Sequence, residues 1–133
     1  DAEGMLVITG RKKDLIIRGG ENISPKEIED ALFAHASVMD VAVVAMPSAR
    51  MGETVCAVVV LQPGARASPE ALLDHIAASG LARQKWPERF FFATELPKTA
   101  AGKVRKDLLR ARVVETLAVH ADTLVNELEG PQR

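Results

Sequence analysis

Apolar residues in this chain follow two rhythms, and the switches between them mark out its elements. Near the start, "MLVITG" (5–10) and "DLIIRGG" (14–20) are short β-rich runs separated by the charged turn "RKK", a pattern that predicts a small hairpin. Gly19 and Gly20 end its second strand. In "SPKEIEDALFAH" (24–35) the rhythm changes to three and four. Ser24 suits a helix cap, Pro25 the first helical position and Glu27 a capping box, leaving Ile28, Ala31 and Leu32 as the buried stripe.

"VMDVAVVAM" (38–46) reads as a half-buried strand, "PSARMGE" (47–53) as a turn and "TVCAVVVL" (54–61) as a strand buried on both faces. The two strands are expected to pair as an antiparallel hairpin. "SPEALLDHIAASG" (68–80) repeats the cap logic with Ser68 and Pro69, buries Leu72, Leu73 and Ile76, and stops at Gly80. "RFFFATEL" (89–96) supplies a third strand of the main sheet, and Pro97 ends the pattern. From Val104 a helical period runs through Leu109, Val113, Leu117, Ala121, Leu124 and Leu128. The expected fold is α+β, a small N-terminal β-hairpin followed by a three-stranded sheet packed with about three helices.

Composition narrows the functional classes. A chain of 133 residues is the size of one domain. A 47% hydrophobic and 26% charged content is that of a soluble globular protein, and no apolar run reaches the roughly 20 residues of a membrane span. The expected location is cytoplasmic. With 17 basic and 18 acidic side chains there is no global field to attract nucleic acid. The single Cys56 sits in an apolar run, which predicts a buried, inert thiol. His35, His75 and His120 stand at no ligand spacing, so no metal site built from protein ligands is expected. The first residues lack the features of a signal peptide and begin without methionine, as if cut from something longer.

One turn carries candidate chemistry. "LPKTAAGKVRK" (96–106) places Gly102 and Lys103 between a strand and a helix, a way of presenting a mobile cation to an anion. Gly102 lets the backbone turn and Pro97 stiffens the approach.

Together, "ITGRKKDLIIRGGENISPKEIED" (8–30) and "LPKTAAGKVRKDLL" (96–109) resemble, in order and separation, two signature segments of one family. That family is the C-terminal domain of the adenylate-forming enzymes, closest to the acyl-CoA synthetases of the fatty-acid and medium-chain CoA ligase type. The resemblance covers about residues 1–112. It implies that residues 1–13 end an interdomain segment with the hinge and first hairpin strand, that 14–112 form the lid domain, and that 113–133 add a helical tail. A stripe reaching Leu128 predicts burial against this domain or another chain, including a dimer through the tail helix.

The resemblance also implies roles. Lys103 matches the catalytic lysine that stabilises charge when a carboxylate attacks ATP. Relatives often carry Ser or Thr where this chain has Ala101. Gly19 and Gly20 line the path of the coenzyme A pantetheine, or simply form a turn of positive φ. Arg11 matches an arginine that reaches the nucleotide ribose, and Lys13 the hinge about which the domain rotates, with a solvated lysine in a turn as the alternative. Asn22 replaces an arginine that some relatives direct at phosphate. Lys85 and Arg89 flank "WPE" in a region that approaches the coenzyme A nucleotide, with two solvated charges as the alternative. Trp86 either stacks on adenine or packs at the domain edge, and packing is favoured.

ATP, Mg2+ held through ATP mainly by the other domain, and coenzyme A are the implied cofactors. The implied partners are an N-terminal domain of the same polypeptide and a carboxylic acid. That domain's Ser/Thr/Gly-rich phosphate loop has no counterpart in this sequence, so the chain alone is expected to be inactive. Two alternatives stay open: a non-enzymatic interaction module that retains the fold, and the lid of an enzyme that loads an acyl carrier protein.

Overall fold

The computed structural model describes residues 14–119. Among them, β1 (Ile16–Arg18) and β2 (Glu21–Ile23) are followed by α1 (Pro25–Phe33), β3 (Val38–Ser48) and β4 (Gly52–Leu61). Then come α2 (Pro69–Ala78), a 3-10 turn at Arg83–Lys85, β5 (Arg89–Phe92) and α3 (Lys106–Val119). The fold is α+β, as the sequence pattern predicts. The run at 5–10 lies outside the described residues.

A five-stranded sheet organises the domain, with β2, β1, β4 and β3 in that spatial order and β5 also on β4. β3 and β4 pair antiparallel from Val38 opposite Leu61 to Ser48 opposite Gly52. β5 runs parallel to β4, Phe91 lying beside Val58. That direction was not legible locally, because a parallel pair depends on the crossover through α2.

Alternation along β4 divides the core in two. Val55, Ala57 and Val59 face Ile28 and Leu32 of α1 and Leu72 and Ile76 of α2. Cys56, Val58 and Val60 face the other way, with Phe91, Leu109 and Val113. Helices therefore cover both faces of the sheet. This corrects the half-buried reading of β3: Val41, Ala42, Val43 and Val44 are all buried, because α1 packs on one side and α3 on the other.

The two predicted helix caps differ. Ser68 Oγ accepts a 3.0 Å hydrogen bond from the Ala71 amide, whereas Ser24 makes no side-chain cap bond. The expected capping box fails because Glu27 is engaged elsewhere, accepting from Lys85 Nζ at 2.8 Å.

β3 lies at the end of the strand order, and carboxylates take two of its amides. Val43 N–H donates to Glu29 Oε2 at 2.8 Å and Val41 N–H to Asp40 Oδ1 at 2.9 Å. Among the described residues no helix is long and apolar enough to cross a membrane.

Candidate active site

After Leu96 enters the second core cluster, the chain leaves the surface as a small hairpin and returns at Val104. Its closure is local. Gly102 N–H donates to Thr99 O at 2.9 Å, Thr99 N–H to Lys103 O at 2.8 Å and Arg105 N–H to Pro97 O at 2.7 Å. Thr99 Oγ1 accepts from the Lys103 amide at 3.2 Å, and Lys98 bridges antiparallel to Val104. Gly102 has φ of 90°, a left-handed conformation that a side chain adopts only with strain. Thr99, Ala100, Ala101, Gly102 and Lys103 are all exposed. Leu96 and Val104 root the hairpin in the domain.

Four cations occupy this segment, and three are spoken for. Lys98 pairs with Asp40 at 2.8 Å, Arg105 with Asp107 at 2.7 Å and Lys106 with Glu29 at 2.7 Å. Lys103 pairs with no carboxylate among the described residues. Lys103 borders a cleft of about 660 Å³ shared with Asp14, Glu29, Asp40, Lys106 and Arg110. A cation on a shaped but exposed turn is available to an anion brought from outside.

The other candidates do not gather around it. Gly19 and Gly20 form the β1–β2 turn, with φ of 58° and 87°, as a two-residue hairpin turn with positive φ at both positions requires. Gly19 N–H donates to Met51 O at 2.8 Å. A Cβ on Gly20 would meet nothing within 4 Å, whereas one on Gly19 would reach Met51 Cε at 3.0 Å. Backbone conformation therefore accounts for Gly20, and no steric crowding within the domain is needed. Asn22 is exposed on β2 opposite Ile17.

Lys85 is held by Glu27 across the surface, at 26% and 48% side-chain exposure. An incoming phosphate would have to compete with that carboxylate. Arg89 lies over the Phe91 ring at 5.9 Å. Trp86 packs, as favoured: its indole N–H donates to Leu81 O at 2.9 Å, and its ring leans on the first core cluster. Phe90 and Phe91 are core, with Phe92 at the rim. Cys56 is fully buried and burial pushes its thiol up, against a smaller lowering by the Arg89 charge, so it is no nucleophile at neutral pH. Arg11 and Lys13 lie outside the described residues. Among the described residues no three His, Cys, Asp or Glu side chains stand together as metal ligands.

The geometry defines a class: a three-layer module that presents, on a hydrogen-bonded turn, an ammonium paired with no carboxylate among the described residues. The sequence profile described as AMP-binding enzyme C-terminal domain matches residues 27–103, and the protein belongs to that family. Relatives include a medium-chain fatty-acid–CoA ligase of Escherichia coli (strain K12), 44% identical over 88% of this chain and 21% of that protein. A long-chain-fatty-acid–CoA ligase of Bacillus subtilis (strain 168) is 48% identical over 86% of this chain and 20% of its own length. The chain thus spans about a fifth of these curated relatives.

Solved structures agree. ATP-bound MatB from Rhodopseudomonas palustris superposes with a TM-score of 0.72 and 40% identity, over 80% of this chain and 20% of that one. A Mycobacterium tuberculosis fatty acyl CoA synthetase gives 0.72 and 36% identity over 78% of this chain and 20% of its own.

Proposed function

We propose that this domain is the mobile catalytic lid of an AMP-forming acyl-CoA synthetase, acting in the cytoplasm and completed by an N-terminal domain that holds ATP and the carboxylic acid. The observation that carries the reading is the Lys103 ammonium, without a carboxylate partner among the described residues, on a turn whose neighbouring cations are all paired. The names of the relatives support it.

In the first half-reaction a carboxylate oxygen bonds to the α-phosphorus of ATP, and the bond to the leaving pyrophosphate breaks. Negative charge grows on the departing oxygens. A fixed ammonium in a site closed to water lowers that barrier. Lys103 supplies it. The hairpin hydrogen bonds hold the lysine backbone before the charge appears, so little reorganisation is left for the reaction itself.

In the second half-reaction coenzyme A sulfur attacks the acyl carbon and AMP leaves. The turn at Gly19 and Gly20 offers bare backbone along which a pantetheine arm can lie. Lys85 and Arg89 are the cations for its nucleotide end, Lys85 exchanging Glu27 for phosphate. Mg2+ finds no cluster of protein ligands among the described residues and would be held through ATP, mainly by the N-terminal domain.

The test is Lys103→Ala in the complete synthetase. Adenylation, followed by carboxylate-dependent ATP–pyrophosphate exchange, should fall roughly 10²- to 10³-fold, the scale of one transition-state donor. Thioester formation from supplied acyl-adenylate should persist. Equal losses in both halves would contradict the assignment. The present chain alone, given ATP, coenzyme A and a panel of carboxylic acids, should form no thioester; turnover by it would refute the division of labour.

A further inference from the structure

The lysine hairpin is flanked by two lysines, Lys98 on its incoming leg and Lys106 where α3 begins, and each is held by a carboxylate that also accepts an amide of strand β3. On the incoming leg, Asp40 accepts from Lys98 Nζ through Oδ2 at 2.8 Å and from the Val41 amide through Oδ1 at 2.9 Å. Just past the outgoing leg, where α3 begins, Glu29 Oε2 accepts from Lys106 Nζ at 2.7 Å and from the Val43 amide at 2.8 Å. The two carboxylates come from different elements, α1 and β3, yet act on adjacent stretches of the same strand. Both line the cleft that Lys103 borders.

The hairpin needs such ties. Its internal hydrogen bonds fix its shape, but they do not fix its direction relative to the sheet, and every residue from Lys98 to Lys103 is exposed. Leu96 and Val104 locate its base. The ion pairs at Lys98, on the incoming leg, and at Lys106, two residues past Val104, add a tie on each side of that base. The Lys106–Glu29 pair is the better shielded, each side chain being 18% exposed, so water and salt weaken it less than a surface pair.

Resting on the assignment of Lys103 made above, we propose that Glu29 and Asp40 are positioning residues for adenylation, clamping the incoming leg and the start of α3 into which the outgoing leg runs, so that the Lys103 ammonium arrives in register with the leaving phosphates. Neither carboxylate needs to touch substrate. Their contribution is to the placement of the charge, and a misplacement of about 1 Å costs up to roughly 10²-fold in rate.

Glu29→Gln and Asp40→Asn, made separately in the complete synthetase, test this. Each keeps an acceptor for its β3 amide and removes the charge that holds the lysine. Adenylation kcat should fall about tenfold, with the ATP KM within about twofold, as for an interaction felt only in the transition state. Thioester formation from supplied acyl-adenylate should be unchanged. The deciding arm repeats both variants on Lys103→Ala, where a positioning residue has nothing left to position and should cost nothing further. Lys98→Gln opens the first clamp from the exposed leg and should reproduce the Asp40→Asn loss even if a carboxylate variant folds poorly.

The same tenfold loss in the Lys103→Ala background, or a matching loss in thioester formation, overturns the proposal and leaves the role of Lys103 intact. If Lys103→Ala itself exchanges pyrophosphate at the wild-type rate, the assignment of the lysine fails first, and the clamp fails with it.

Discussion

Alanine at Gly102 isolates backbone conformation from every other property of the lysine turn. The added methyl group has room, since a Cβ there meets nothing within 4 Å. What it meets instead is φ of 90°, where a non-glycine residue costs about 1–3 kcal/mol. The hairpin can escape that strain by unwinding, giving up the bonds of Gly102 N–H to Thr99 O and Thr99 N–H to Lys103 O. Unwinding exposes nothing that was buried, because Thr99 to Lys103 already face water. The strain should therefore appear as a smaller population of the lysine-presenting turn, with the fold intact. One to three kcal/mol corresponds to roughly a 5- to 150-fold loss of adenylation at tenfold per 1.36 kcal/mol. Pyrophosphate exchange measures the loss, and a thermal melt of the same sample should move by no more than a degree or two, about what a local change in an exposed turn permits. Full exchange activity in Gly102→Ala would show that the lysine does not depend on this turn; loss of activity together with a large fall in melting temperature would place the strain in the core.

The remaining predictions concern the domain itself. Phe91 is completely buried in the cluster beneath α3, so Phe91→Ala should cost about 3–5 kcal/mol in urea unfolding, and a change below 1 kcal/mol, about that of a surface site, would misplace α3. The Asp107 carboxyl is lowered to about 2, first by hydrogen bonds from Arg105. Its stabilising contribution is therefore present above the ordinary aspartate value and lost as pH falls through about 2. Carboxyl-carbon NMR should find that midpoint, and Arg105→Gln should return it toward 3.8.

Local rhythm made α1, α2 and the β3–β4 hairpin legible, because each buries a stripe of its own period. β2 was hidden. Glu21 and Asn22 are polar and exposed, and only Ile23 reaches the core, so a three-residue strand after two glycines looks like loop. The depth of β3 was underestimated because Met39 and Asp40 interrupt its apolar run, while its burial is decided by two helices that pack from opposite sides. The capping box failed for a similar reason: Glu27 had a partner far away in sequence, at Lys85.

At the candidate site, Lys103 could be found from its turn and its spacing from the earlier segment. The carboxylates beside it could not. Glu29 reads as one more acid on a helix and Asp40 as a blemish in a strand; only the fold brings them to Lys106 and Lys98. Positive φ at Gly19 and Gly20 agrees with the simpler turn explanation for those residues.

The rim of the sheet has a further consequence. Strands left open at a border invite others to zip onto them. Here two outward amides of β3 are already satisfied by Glu29 and Asp40, and Pro47 farther along brings no donor. A foreign chain arriving at that border finds fewer donors to pair with, which makes β3 a poor template for adding a strand.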